Sequence, residues 1–118
     1  MKKPRRDRSS AHSQLDPVQT AAVAQLFSLL SEPSRLLILQ QLQSAPASVG
    51  ELVAALHMKQ ANVSKQLGLL LNAGVICRRQ AGNRAIYSID MPLIFDLCAL
   101  VCRGVAERAS ARARALGG

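Results

Sequence analysis

Apolar residues return along the first two thirds of the chain at helical spacing. Asp16-Pro17 pairs an N-cap acceptor with a proline suited to the first helical position, and Val18, Ala21, Ala22, Leu26, Leu29 and Leu30 follow, so the spacing predicts a helix to about Leu30. "SEPSRLLILQQLQSAP" repeats the device: Pro33 near a start, Leu36, Leu37, Leu39 and Leu42 as the apolar face, Ala45-Pro46 as the end. Ser48 can cap "VGELVAALH", and Glu51, three residues on, completes a capping box for a short third helix. After a tight connection at "HMKQ", Gln60–Ala73 reads as a fourth helix, apolar at Val63, Leu67, Leu70 and Leu71 and closed by Asn72-Ala73-Gly74.

Beyond Gly74 the period changes to that of strands. "VICRRQ" and "RAIYSI" flank the turn signal "AGN", which predicts a hairpin with Ile86 and the residues of "VIC" inward and its arginines outward. Asp90-Met91-Pro92 then opens a last helix through "LIFDLCALVCRGVAERASARA". The expected fold is mainly α with a small β-hairpin, in the order α-α-α-α-β-β-α, without internal repeats. Ile94, Leu97, Cys98, Val101 and Val105 form one stripe of the last helix, with Leu93 and Leu100 off it. A helix apolar over so much of its surface needs more than one neighbour, which points to a second copy of the chain.

At 118 residues the chain is expected to form one domain, over 15–110, between a disordered basic arm at 1–14 and a flexible tail at 111–118. Apolar residues make up 49% of it, yet only one Tyr and two Phe are present, so Ala, Leu and Val must fill the interior. That suits packed helices, and so small a domain gains from oligomerisation. No apolar run reaches the ~18 residues of a membrane span. The basic start "MKKPRRDRSSAHSQLD" has no apolar stretch behind it and does not read as an export signal, so the three cysteines are expected as reduced thiols in a cytoplasmic protein.

Charge sharpens this picture through its distribution. The net charge is +8, and between Glu51 and Asp90 lie Lys59, Lys65, Arg78, Arg79 and Arg84 without one carboxylate. Such a stretch attracts a polyanion. Two helices joined by a tight turn and followed by a basic hairpin make a helix-turn-helix with a wing, whose second helix fits the major groove of DNA. Ala61, Asn62 and Lys65 are expected on its outer face, with Gln60 and Gln66 flanking near the helix start. Asn and Gln can pair with adenine, Lys and Arg with guanine or phosphate, and the hydroxyl of Ser64 with phosphate or base. Arg78, Arg79, Asn83 and Arg84 would lie on the backbone or minor groove beside it. The expected partner is double-stranded DNA with pseudo-palindromic half-sites, bound by a two-fold dimer.

These residues resemble the ArsR/SmtB winged-helix regulators over roughly residues 18–105. The likeness rests on "LSEPSRLLILQQL", "VGELVAAL", "NVSKQLGLLLNAGVI" and "RRQAGNRAIYSI". It implies a homodimer joined through the first and last helices, and repression of transcription until an inducer weakens the DNA complex. It also locates the family's sensor positions. The third helix reads "ELVAAL" where arsenic-type members carry Cys-x-Cys. Asp90 stands where zinc-type members have a carboxylate, but no histidine follows it, the only two being His12 and His57. No zinc site of the usual type is expected.

Cys98 and Cys102 remain as candidate sensor residues. Four apart on a helix, their Cβ atoms lie about 5–6 Å from one another. Thiolates suit soft metals or metalloids, and thiols also answer oxidants or reactive sulfur. The alternative is that both cysteines only pack and another ligand is sensed. An enzyme is disfavoured, since no Ser/His/Asp set, catalytic carboxylate pair, phosphate-binding glycine loop or Cys/His cluster appears. A basic membrane-surface module would need aromatic anchors, and "ERASARARA" has none.

Overall fold

Asp16 and Gln19 exchange hydrogen bonds at the head of the first helix. The Asp16 carboxylate accepts from the Gln19 amide at 2.7 Å, and Gln19 Oε1 accepts from the Asp16 amide at 3.0 Å. This reciprocal box, with Pro17 in the first turn, satisfies donors that a helix start leaves orphaned. The helix so begun, α1 (Pro17–Leu30), ends where the sequence predicts. It belongs to the first of two compact units in the computed structural model, Met1–Glu32 and Pro33–Gly118. Residues 14–117 are described; the expected arm, apart from Gln14, lies outside them. α1 leaves Val18, Val23 and Phe27 exposed and buries Leu30.

The second unit runs α2 (Pro33–Ser44), α3 (Val49–Leu56), α4 (Gln60–Asn72), β1 (Ile76–Ala81), β2 (Arg84–Ile89) and α5 (Leu93–Gly117), so the mainly helical order with one hairpin is as expected. Its core is aliphatic: Ile38, Leu39 and Leu42 of α2, Leu52 of α3, Val63, Leu67 and Leu70 of α4, Val75 and Ile76 at the wing, and Ile94 of α5. The buried face of α2 differs from expectation. Leu36 and Leu37 are exposed and Ile38 is fully buried, because the side facing α3, α4 and β2 runs through positions 38, 39 and 42.

Two glycines close the elements around the wing. Gly74, at φ 78°, ends α4, and the Gly74 and Val75 amides return to the carbonyls of Leu71 and Leu70 at 3.1 Å each. Gly82, at φ 64°, takes the first loop position of the hairpin, where a short loop favours glycine. β1 and β2 pair antiparallel from Ile76 opposite Ile89 to Ala81 opposite Arg84. Ala47, in the α2–α3 connection, adds a bridge to the far edge of β2, exchanging hydrogen bonds with Tyr87 at 3.0 and 2.8 Å.

Only the first turns of α5 pack inward, through Ile94 and Cys98. From Val105 to Gly117 every residue is exposed. The helix continues through 111–117, the stretch expected as a tail, since alanine and arginine favour helix and no breaker intervenes before Gly117.

Candidate nucleic-acid interface

The turn between α3 and α4 is set by His57. Its backbone is left-handed at φ 55°, and its amide caps α3 through the Val53 carbonyl at 2.9 Å. A non-glycine residue there reverses the chain within a few residues, consistent with the turn role expected from its position. Lys59 then starts α4, its carbonyl accepting from the Asn62 and Val63 amides at 3.0 Å each.

The outward stripe of α4 is Gln60, Ala61, Ser64, Lys65 and Gly68, all exposed. Val63, Gln66, Leu67 and Leu70 face inward. Gln66 is therefore not where sequence reasoning puts it: expected beside base edges, it is 5% exposed and locked in a polar network. Arg35 Nη1 donates to Gln66 Oε1 at 3.0 Å, and Gln66 Nε2 donates to Asn62 Oδ1 at 3.0 Å. Asn62, half-buried, donates in turn to Ser34 Oγ at 3.4 Å. The i, i+3, i+4, i+7 series from Val63 passes through Gln66 and Leu67, and that was the available signal for its inward position. Arg35 and Ser34, on α2, are missed by sequence reasoning because only the folded chain brings α2 to α4.

The wing divides its basic residues into two groups. Arg78, Arg79 and Asn83 are exposed, and among the described residues no side-chain hydrogen bond or ion pair holds either arginine. Arg84 is committed elsewhere: its Nη2 lies 2.9 Å from Glu51 Oε1 and donates to Ser48 Oγ at 3.0 Å. These acceptors form the α3 capping box, in which the Ser48 amide donates to Glu51 Oε1 at 2.8 Å. The Ser48 amide, and after it Arg84, holds the Glu51 carboxyl below its ordinary range. Expected on DNA backbone, the half-exposed Arg84 side chain also ties the wing to the helix-turn-helix.

The cysteine pair is brought against α2. Cys98 is buried, and Cys102, exposed, accepts from Gln40 Nε2 at 3.4 Å. Burial first and the neighbouring Cys102 second push the Cys98 thiol up; the Gln43 side chain opposes this weakly, its Nε2 making no full hydrogen bond. Cys77 sits in the wing with its sulfur 3.3 Å from Ser88 Oγ. Among the described residues no three His, Cys, Asp or Glu side chains gather as a metal site would need, and no single helix is long and apolar enough to cross a membrane.

A short helix, a tight turn, a second helix with its polar side outward and a basic two-stranded wing together define a winged helix-turn-helix. The chain belongs to the ArsR family: the family model described as bacterial regulatory protein, arsR family, matches residues 32–77. It is similar to the uncharacterized HTH-type transcriptional regulator Rv0081 of Mycobacterium tuberculosis, 39% identical over 94 residues that span 79% of this chain and 82% of that one. The crystal structure of Rv0081 superimposes with a TM-score of 0.71 at 37% identity, covering 83% and 98% of the two chains. The antimony-specific transcriptional repressor AntR gives 0.74 at 28% identity over 82% and 88%. The homodimeric winged helix-turn-helix DNA-binding domain Mb0332 of Mycobacterium bovis gives 0.72 at 26% over 83% and 94%. The chain is thus a DNA-binding transcriptional regulator of this family.

Proposed function

We propose that this regulator is a homodimeric repressor that reads a pseudo-palindromic operator with α4 and leaves it when an inducer acts at the α5 thiols. The observation that carries the first half is the outer stripe of α4, where Gln60 and Ser64 offer neutral hydrogen-bonding groups beside one lysine, Ala61 and Gly68 are small, and no carboxylate stands. In this reading Gln60 and Ser64 meet base edges or phosphate and Lys65 a guanine or a phosphate, while Arg78, Arg79 and Asn83 follow the flanking backbone. Asn62, Gln66 and Arg84 act within the protein, positioning these elements. The dimer is supported by exposed apolar residues on α1 (Val18, Phe27) and α5 (Leu100, Val101, Val105), and by the homodimeric Mb0332 domain.

Cys102 is the entry point for a thiol-directed inducer because it is exposed, whereas Cys98 is shielded with its thiol held protonated. Two sulfurs on one helix can hold a soft ion, and arsenite, which takes three, would draw its third donor from elsewhere. The burial of Cys98 favours the competing reading, in which both cysteines only pack.

Fluorescence anisotropy on the DNA upstream of its own coding sequence tests both halves. Affinity should fall steeply with salt as counterions are released, and a flat response sinks the DNA reading. Arsenite, cadmium or polysulfide should release wild type and spare Cys102→Ser. If none releases wild type, the cysteines only pack.

A further inference from the structure

The side chains that tie α2 to α4 form a directed relay with Arg35 at its head. A guanidinium can only donate, so Gln66 must turn its oxygen toward Arg35 and its amide nitrogen toward Asn62. Asn62 must then present its oxygen to Gln66, and its own amide nitrogen donates to Ser34 Oγ. Arg35 and Ser34 are neighbours in the first turn of α2, so the relay leaves α2, crosses two residues one turn apart on α4, and returns to α2. Gln66 is buried, and a buried amide with no partner is costly, so the orientation is enforced. The aliphatic contacts of Val63, Leu67 and Leu70 press α4 onto the core but are non-directional, and leave its roll and slide loosely specified.

We propose that Arg35, which is not on the recognition helix, is a specificity-determining positioning residue for DNA. It fixes the amide orientations of Gln66 and Asn62, and with them the roll of the first turns of α4 that present Gln60, Ser64 and Lys65. The relay makes no phosphate contact in this role, so it governs which sequence is preferred and leaves non-specific attraction alone. The inference rests on α4 being the reading helix, as proposed above, and the experiment keeps the two apart.

Wild type is first used to enrich a duplex from a randomised pool. Binding to that duplex and to a scrambled one of equal composition is then measured across a salt series for wild type, Arg35→Ala, Gln66→Met and their double variant. Arg35→Lys and Lys65→Ala serve as controls. Expected for Arg35→Ala is a preference for the enriched duplex reduced about tenfold, with the scrambled-duplex affinity and salt slope unchanged. Gln66→Met keeps the volume, loses the relay and should match it; the double variant should lose no more than either single one, since all break one unit. Arg35→Lys, which restores one donor to Gln66, should recover part of the preference.

Equal loss on both duplexes with a shallower salt slope would make Arg35 a phosphate contact and overturn the proposal. Unchanged preference in Gln66→Met would overturn it as well, and that variant decides the matter should Arg35→Ala fail to fold. If Lys65→Ala is silent on every duplex, the assignment of α4 as reading helix fails. If Lys65→Ala weakens binding while the relay variants keep wild-type preference, only the present inference fails.

Discussion

Arg84 Nη2 lies 2.9 Å from Glu51 Oε1, so the residue that opens the second wing strand is bonded to the first turn of α3. Both side chains are half-exposed, and such a pair alone contributes little. Its weight comes from geometry, because the same carboxylate caps α3 through the Ser48 amide and the same guanidinium reaches Ser48 Oγ. The wing is thereby oriented on the helix-turn-helix by the element that starts it.

This division of labour among the wing arginines predicts different salt behaviour. Arg78→Ala and Arg79→Ala should each lower the slope of log affinity against log salt by about one, as one phosphate contact is lost. Arg84→Gln should leave the slope unchanged and weaken binding only by loosening the wing. A salt titration of the three variants on one duplex checks this, and an equal drop in slope for Arg84→Gln would put its charge on the DNA.

A pH prediction follows from Glu51. Its carboxyl is held below the ordinary range in the folded chain, so its ionised form stabilises the fold above the unfolded-state value, and that stabilisation is lost as pH falls through the folded-state value. Glu51→Gln can keep the capping hydrogen bond to Ser48 while removing the charge that pairs with Arg84. Thermal melts should place wild type above Glu51→Gln at neutral pH, with the gap closing below about pH 4. A gap that persists into acid would mean that the charge contributes nothing.

The helix caps and the hairpin were legible in the sequence because each is written locally. Asp16 with Pro17, Ser48 with Glu51, and Gly82 at the turn all act within three residues of themselves. The inward place of Gln66 was legible only in part, since its polarity argued for the surface while the spacing from Val63 argued for the core. The partners of Gln66 and Arg84 were not legible, because Arg35 is 31 residues from the first and Ser48 is 36 from the second. Nor could spacing say that Cys98 would be buried and Cys102 exposed one turn on, which depends on how far α5 stays against α2.

That asymmetry predicts an order of reaction at the thiols. Cys102 should be alkylated by iodoacetamide well before Cys98, since only the thiolate attacks and Cys98 is both shielded and held protonated. The Cys98 rate should keep rising with pH beyond the ordinary thiol range, because its raised folded-state value moves its ionisation upward. Peptide mass spectrometry over time and pH reads both, and equal rates for the two cysteines would remove the distinction drawn between them.

The exposed side of α5 carries the last prediction. Leu100, Val101 and Val105 are 63%, 54% and 63% exposed, large apolar side chains that the described residues leave mostly uncovered. Water penalises that surface until a second chain covers it. Val101→Glu adds a charge to the stripe without touching Ile94 or Cys98, which make the helix's inward contacts. The variant should keep its helical circular dichroism yet sediment as a monomer. Its affinity for a duplex with two half-sites should fall about a hundredfold or more, because each winged helix must then bind without the effective concentration its partner supplies. On a single half-site it should bind as a wild-type monomer would, which separates lost pairing from a damaged reading helix. A variant that stays dimeric would place the interface elsewhere and leave the apolar stripe of α5 without a role.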